Sequence, residues 1–167
     1  MRRLLIALAT CVLVAPVATA EAVTLDGFRT ESPSASKPRR AIGRLIIPRI
    51  GVNHKMYKGV SDAEFDIGVG KWPGTPRPGE AGNIVIGAHR TSTIRPFYNI
   101  DRLKRGDVIT VVEGKKRARY KVTNRMVVRP TAMWVTKQSN ASTLTLFSCH
   151  PKGSTKQRFI IRAKLMR

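Results

Sequence analysis

Residues 143–162 read T-L-T-L-F-S-C-H-P-K-G-S-T-K-Q-R-F-I-I-R, two apolar runs separated by a break containing Pro151 and Gly153. Each run has the length and composition of a strand, and the break suits a loop joining antiparallel neighbours. In the first run Leu144 and Leu146 fall on one face and Thr145, Phe147 and Cys149 on the other. In the second, Phe159, Ile161, Ala163 and Leu165 share a face opposite Arg158. Paired as a hairpin, the runs bring the Cys149 thiol and the Arg158 guanidinium to one end of adjacent strands, both pointing away from the more uniformly apolar face. That juxtaposition is a candidate site.

Similar short runs occupy residues 44–47, 52–57, 83–87, 108–112 and 117–128, with Gly and Pro between them. Several short strands punctuated by turn signals predict an all-β sandwich or barrel. Helical signal is sparse: a turn or two at 61–64 and at 96–103, and one more at 131–136. Residues 72–79 must form a loop, because Pro73, Pro76 and Pro78 cannot donate to a ladder. Ahead of the strands, residues 1–20 combine Arg2 and Arg3, an apolar run and the small-residue ending Ala18-Thr19-Ala20, the pattern of an export signal. Its apolar run, residues 4–17, is shorter than the ~20 residues a spanning helix needs, so the leader is either cleaved after Ala20 or kept as an N-terminal membrane anchor. Residues 21–40, rich in Ser, Pro and charge, read as a flexible linker. The folded domain is expected over 41–167.

The 167 residues carry 31 Lys and Arg against 10 Asp and Glu, a net charge of +21. So basic a chain is drawn to polyanions, but no aromatic stacking platform interleaves the basic residues, and nucleic acid is not an expected partner. Cys11 lies in the leader and Cys149 is the only other cysteine. A leftover thiol in an exported chain is either reactive or an intermolecular link. A thiol nucleophile needs a proton-transfer partner. His54 sits in an early strand and reads as structural. His150 follows Cys149 directly and so points to the opposite face. His89, at the end of the 83–87 run, is the candidate partner. Zinc is disfavoured because neither C-x-x-C nor H-x-x-x-H is present, and a serine hydrolase because there is no G-x-S-x-G. Asp101 and Asp107 stand apart amid basic residues, a poor calcium site. No metal or cofactor is expected.

The motifs together resemble the sortases, bacterial cysteine transpeptidases that attach proteins to the cell wall. The likeness runs through G-R-L-I-I-P-R-I-G-V, G-V-G-K-W-P-G-T-P-R-P-G-E-A-G-N-I-V-I-G-A-H-R-T, R-P-F-Y-N-I-D-R-L-K-R-G-D and T-L-F-S-C with its downstream arginine. It implies a closed eight-stranded β-barrel with one or two short helices. The seven runs above reach eight if 117–128 is two strands or if one strand is missed. It also implies catalytic roles for Cys149, His89 and Arg158, and substrate contacts from Thr145 and Ser148 of the T-L-x-T-C motif. Ser148 replaces the usual threonine but keeps a hydroxyl, and Ala88 stands where many members have glycine.

The reaction so implied cleaves a C-terminal LPxTG- or LAxTG-type sorting signal between Thr and Gly, through a thioester on Cys149, and joins the carried protein to a peptidoglycan-precursor amine. C-H-P after the nucleophile, H-R-T after the histidine and the compact size are similar to the small actinobacterial class E sortases, with a general anchoring role. Expected partners are secreted proteins bearing sorting signals, the precursor amine and the membrane surface, all extracytoplasmic. Two other readings remain at this stage: a basic wall-binding barrel without catalysis, and a cysteine hydrolase that releases its product.

Overall fold

The computed structural model describes residues 39–167; the leader and all of the linker except Arg39 and Arg40 lie outside the described residues. Eight strands form a closed barrel: β1 (Gly43–Ile47), β2 (Val52–Lys58), β3 (Val69–Lys71), β4 (Gly82–Gly87), β5 (Val108–Glu113), β6 (Lys116–Val128), β7 (Ser142–His150) and β8 (Gln157–Leu165). Around the barrel the order is β1-β2-β3-β4-β7-β8-β6-β5, with β5 closing on β1. The pairs β2/β3 and β4/β7 are parallel and the rest antiparallel.

Alternation built these strands. Leu45 and Ile47 of β1, Ala118, Tyr120 and Val122 of β6, and Phe159, Ile161 and Ala163 of β8 turn inward and meet Met56, Ile84, Ile86, Leu144 and Leu146 in one core. Each Leu or Ile fully removed from water there contributes roughly 1.5–3 kcal/mol. Phe97, Ile100 and Leu103 are completely buried and belong to the same core. Strand β4 is buried on both faces, as expected of a strand with parallel pairing and covered sides.

The missing eighth strand is β3. The run 117–128 is one strand, β6, with a register shift between Val122 and Asn124 where a bulge bends it. β3 escaped notice because V-G-K is only three residues long, and its glycine answers to tertiary packing: a Cβ on Gly70 would lie 2.2 Å from the Gly59 carbonyl oxygen.

The single α-helix among the described residues, α1 (Asp62–Phe65), follows from a capping box in which Ser61 and Glu64 satisfy each other's backbone N–H. Glu64 is also ion-paired with Arg39. The other two expected helical stretches reduce to 3-10 turns at Ile100–Arg102 and Met133–Thr136, and a third such turn, at Pro48–Ile50, begins on a proline and ends on the left-handed Gly51. Residues 72–79 form no strand or helix, and the Gly79 N–H in that loop donates to the Tyr120 hydroxyl at 3.0 Å.

Candidate active site

The end of the β7/β8 hairpin carries the site. In the antiparallel register Cys149 lies directly opposite Arg158, and the loop between them turns through a Ser154 N–H to Pro151 carbonyl bond of 3.0 Å, with Gly153 at φ +77. On the other side of β7, the parallel β4 pairs Gly87 with Phe147. Two residues further on, His89 stands just past the end of β4 and Cys149 within β7. Ser148 strengthens the junction: it is buried, and its Oγ donates to the Ala88 carbonyl at 2.8 Å. Three chain segments distant in sequence thus converge on one cleft of about 390 Å³, whose walls include His89, Cys149, Arg158, Phe65, Phe147 and Ser148.

Cys149 is free and partly exposed. Its strand position, at the end of a ladder rather than in the core, leaves the sulfur available to a substrate. The Arg158 Nη1 donates to the carbonyls of Thr155 at 2.8 Å and Gln157 at 3.0 Å, which ties the guanidinium to the cleft rim. The side chain of His89 is 15% exposed, and its Nε2 lies 3.1 Å from Asp66 Oδ1. Phe65 meets the imidazole edge-on with ring centroids 5.5 Å apart, and Phe147 packs against both Phe65 and Trp72. Gly87 is needed at this spot, since a Cβ there would lie 2.3 Å from the Phe147 ring.

Beyond Phe147 the cleft continues into a second groove of about 190 Å³, walled mainly by Trp72, Val128, Met133 and Ile160 and sharing Phe147 and Arg158 with the first. The adjoining hollows therefore differ in character. One holds the thiol, imidazole and guanidinium, and the other is largely apolar.

Thr145 does not reach either hollow. It is fully buried, and its Oγ1 donates to Asn83 Oδ1 at 2.7 Å, while Asn83 Nδ2 donates to the Val135 and Lys137 carbonyls. Its position is that of a structural tie between β4, β7 and the 3-10 turn at Met133–Thr136, and not that of a substrate contact. Ser148 borders the cleft, yet its hydroxyl is committed to Ala88.

His150 lies away from the cleft, where Arg90 Nη1 donates to its Nδ1 at 2.8 Å. His54 sits on β2 opposite Leu45, and burial, followed by the charge of Arg44, holds its pKa below the usual value. No group of three or more His, Cys, Asp or Glu side chains suited to a metal is found among the described residues.

Sequence reasoning missed Asp66 and Arg90. Arg90 is 3% exposed, pairs with Asp101 through a 3.0 Å contact and donates to the Cys149 carbonyl at 3.3 Å, so it braces the nucleophile's strand from behind. The short helical signal at 61–64 marked α1 but carried no sign of what the residue after it faces. An arginine beside a histidine carries no local mark of burial.

The sortase domain family model matches residues 45–166. Sortase D of Bacillus subtilis is 26% identical over 150 residues, covering 87% of this chain and 71% of that protein. Sortase SrtE1 of Streptomyces coelicolor is 30% identical over 151 residues, covering 81% of this chain but only 43% of that longer protein. Among solved structures, the Sortase D5 transpeptidase of Clostridium perfringens superposes with a TM-score of 0.69 at 30% identity, over 76% of this chain and 79% of that one.

Proposed function

Because the chain belongs to the sortase family of cysteine transpeptidases, we propose that it cleaves a C-terminal LPxTG- or LAxTG-type sorting signal between Thr and Gly and transfers the acyl group to a cell-wall precursor amine. The observation that carries this reading is the convergence of Cys149, His89 and Arg158 on one cleft, with Cys149 and Arg158 paired across the ladder.

In the first half-reaction the Cys149 thiolate attacks the threonine carbonyl, the C–N bond breaks, and the His89 imidazolium gives its proton to the departing glycine amine. A thioester remains on Cys149. In the second half an acceptor amine attacks the thioester, His89 takes its proton, and the thiolate leaves. Arg158 offers a planar donor fork to the substrate carbonyls or the oxyanion as charge develops there. The apolar groove beside Phe147 takes the leading apolar residue of the signal, since burying it there removes hydrocarbon from water on both sides. Ala88 and Ser148 serve by holding the His89 and Cys149 strands together. The subclass reading is the class E type, consistent with the C-H-P and H-R-T motifs, and the place of action is extracytoplasmic, at the cell surface or membrane.

Fluorogenic LPxTG and LAxTG peptides, incubated with the purified chain with and without an added oligoglycine amine, test the proposal. Cleavage that disappears in Cys149→Ala, by more than about 10³-fold, and an amine-joined product are expected. The Cys149→Ala fold should survive intact because the thiol is not in the core. Absence of cleavage of both peptides, with no alkylation of Cys149 by a thiol reagent, would refute an enzymatic role. Cleavage without amine incorporation would make the protein a hydrolase.

A further inference from the structure

Asp66, the residue that follows α1, belongs to none of the motifs above, yet it is the principal partner of His89. Its Oδ1 accepts from His89 Nε2 at 3.1 Å and from Thr93 Oγ1 at 2.8 Å. Asp62, one turn earlier, brings a carboxylate oxygen to 3.9 Å from the same nitrogen. The loop that follows His89 is strained where it meets Asp66: Thr93 has φ +50 and Arg95 φ +46. Residues other than glycine occupy that region only where their surroundings impose it. The Thr93 hydroxyl is part of what imposes it here, so one carboxylate holds both the imidazole and the backbone beyond it.

An ionised carboxylate has acceptors and no donors, so the ring nitrogen facing Asp66 carries the hydrogen. In the neutral imidazole the only remaining lone pair is then on Nδ1. Phe65 packs edge-on against the ring and opposes a flip that would exchange the two nitrogens.

We propose that Asp66 is a positioning residue for His89: it fixes the Nε2–H tautomer, so that the proton exchanged with the leaving and entering amines moves at Nδ1. The inference rests on the reading of His89 as the acid–base group. In the first half-reaction the imidazolium loses the Nδ1 proton to the departing amine and is left as the neutral Nε2–H form. In the second half Nδ1 accepts the proton of the entering amine and the imidazolium is restored. The Nε2–H···Oδ1 bond persists through both, so the ring does not turn between them.

The tautomer is read directly from long-range proton–nitrogen correlations of the ¹⁵N-labelled full chain, with His89→Ala assigning the signals. An unprotonated Nδ1 in the neutral ring is expected, and a dominant Nδ1–H form would overturn the inference without recourse to any variant. Asp66 has a half-exposed side chain, so Asp66→Ala is expected to fold. That variant should mix the tautomers and lower kcat by about 10²-fold, the lower end of what positioned proton transfer contributes, with KM for the sorting peptide unchanged. Asp66→Glu should recover part of the loss. A wild-type kcat in Asp66→Ala beside an inactive His89→Ala would overturn the positioning role alone. A fully active His89→Ala would remove the acid–base reading and this inference with it.

Discussion

Arg158 illustrates how much a single side chain is asked to do. Its Nη1 donates to two carbonyls at the head of β8, those of Thr155 and Gln157, which fixes the plane of the guanidinium while the remaining N–H groups stay free for a substrate. Lysine would keep the charge and lose the fork. Arg158→Lys is therefore expected to cut kcat/KM by about 10²-fold, the scale of one lost oxyanion donor, with an unchanged melting temperature; near-normal steady-state kinetics would contradict the role.

His54 offers a different residue-scale test. Burial, and then Arg44, lower its pKa from 6.5 in the folded chain, so the unfolded chain binds the proton more readily. Stability is unaffected above the unfolded value and falls as the pH drops from there towards the lower folded value. His54→Gln should lose this part of the acid sensitivity, measurable as a smaller fall in melting temperature between pH 7.5 and pH 5.

At the scale of elements, the β7 strand joins two functions on alternate residues. Cys149 and Phe147 border the cleft, whereas Thr145, on the same face of the strand, is covered by the Met133–Thr136 turn. Thr145→Val leaves Asn83 Oδ1 without its closest donor. A loss of about 1–3 kcal/mol is expected, the cost of an unmet buried polar group, read by denaturant unfolding, with kcat little altered. A rise in KM at unchanged stability would restore Thr145 as a substrate contact. Burial of this threonine could not be read from the strand, because alternation assigns a face but not what covers it. The strands with repeated apolar alternation were legible for the same reason, and β3 was not, since three residues with a central glycine hold no period.

Across the whole molecule, charge is the dominant asymmetry. The described ion pairs involving lysine or arginine are Arg39–Glu64, Lys71–Glu113, Arg90–Asp101 and Lys116–Glu80, and the chain as a whole has only 10 Asp and Glu to set against 31 Lys and Arg. On the outside of β6, Arg117, Arg119 and Lys121 are exposed, and Lys121 stands opposite Lys164 in register. Such a surface favours anionic neighbours through a field that salt screens, from a Debye length of about 10 Å at 0.1 M to about 3 Å at 1 M. Co-sedimentation with anionic lipid vesicles is expected at low salt and should be lost towards 1 M. Salt-independent association would place the attraction elsewhere.

The amino-acid order by itself determined the strand-rich class, the turn between Cys149 and Arg158, the capped α1 and the roster of reactive side chains, because each depends on neighbours within a few residues. Ring closure through β3, the burial of Thr145, the brace from Arg90 and the bond from Asp66 to His89 were decided only in three dimensions. Those features depend on which distant segments pack together, and His89 meets Asp66 because β3 and β4 are neighbours in the barrel. A local pattern can assign a side chain to a face, but its partner is set by the register of strands far away in the chain.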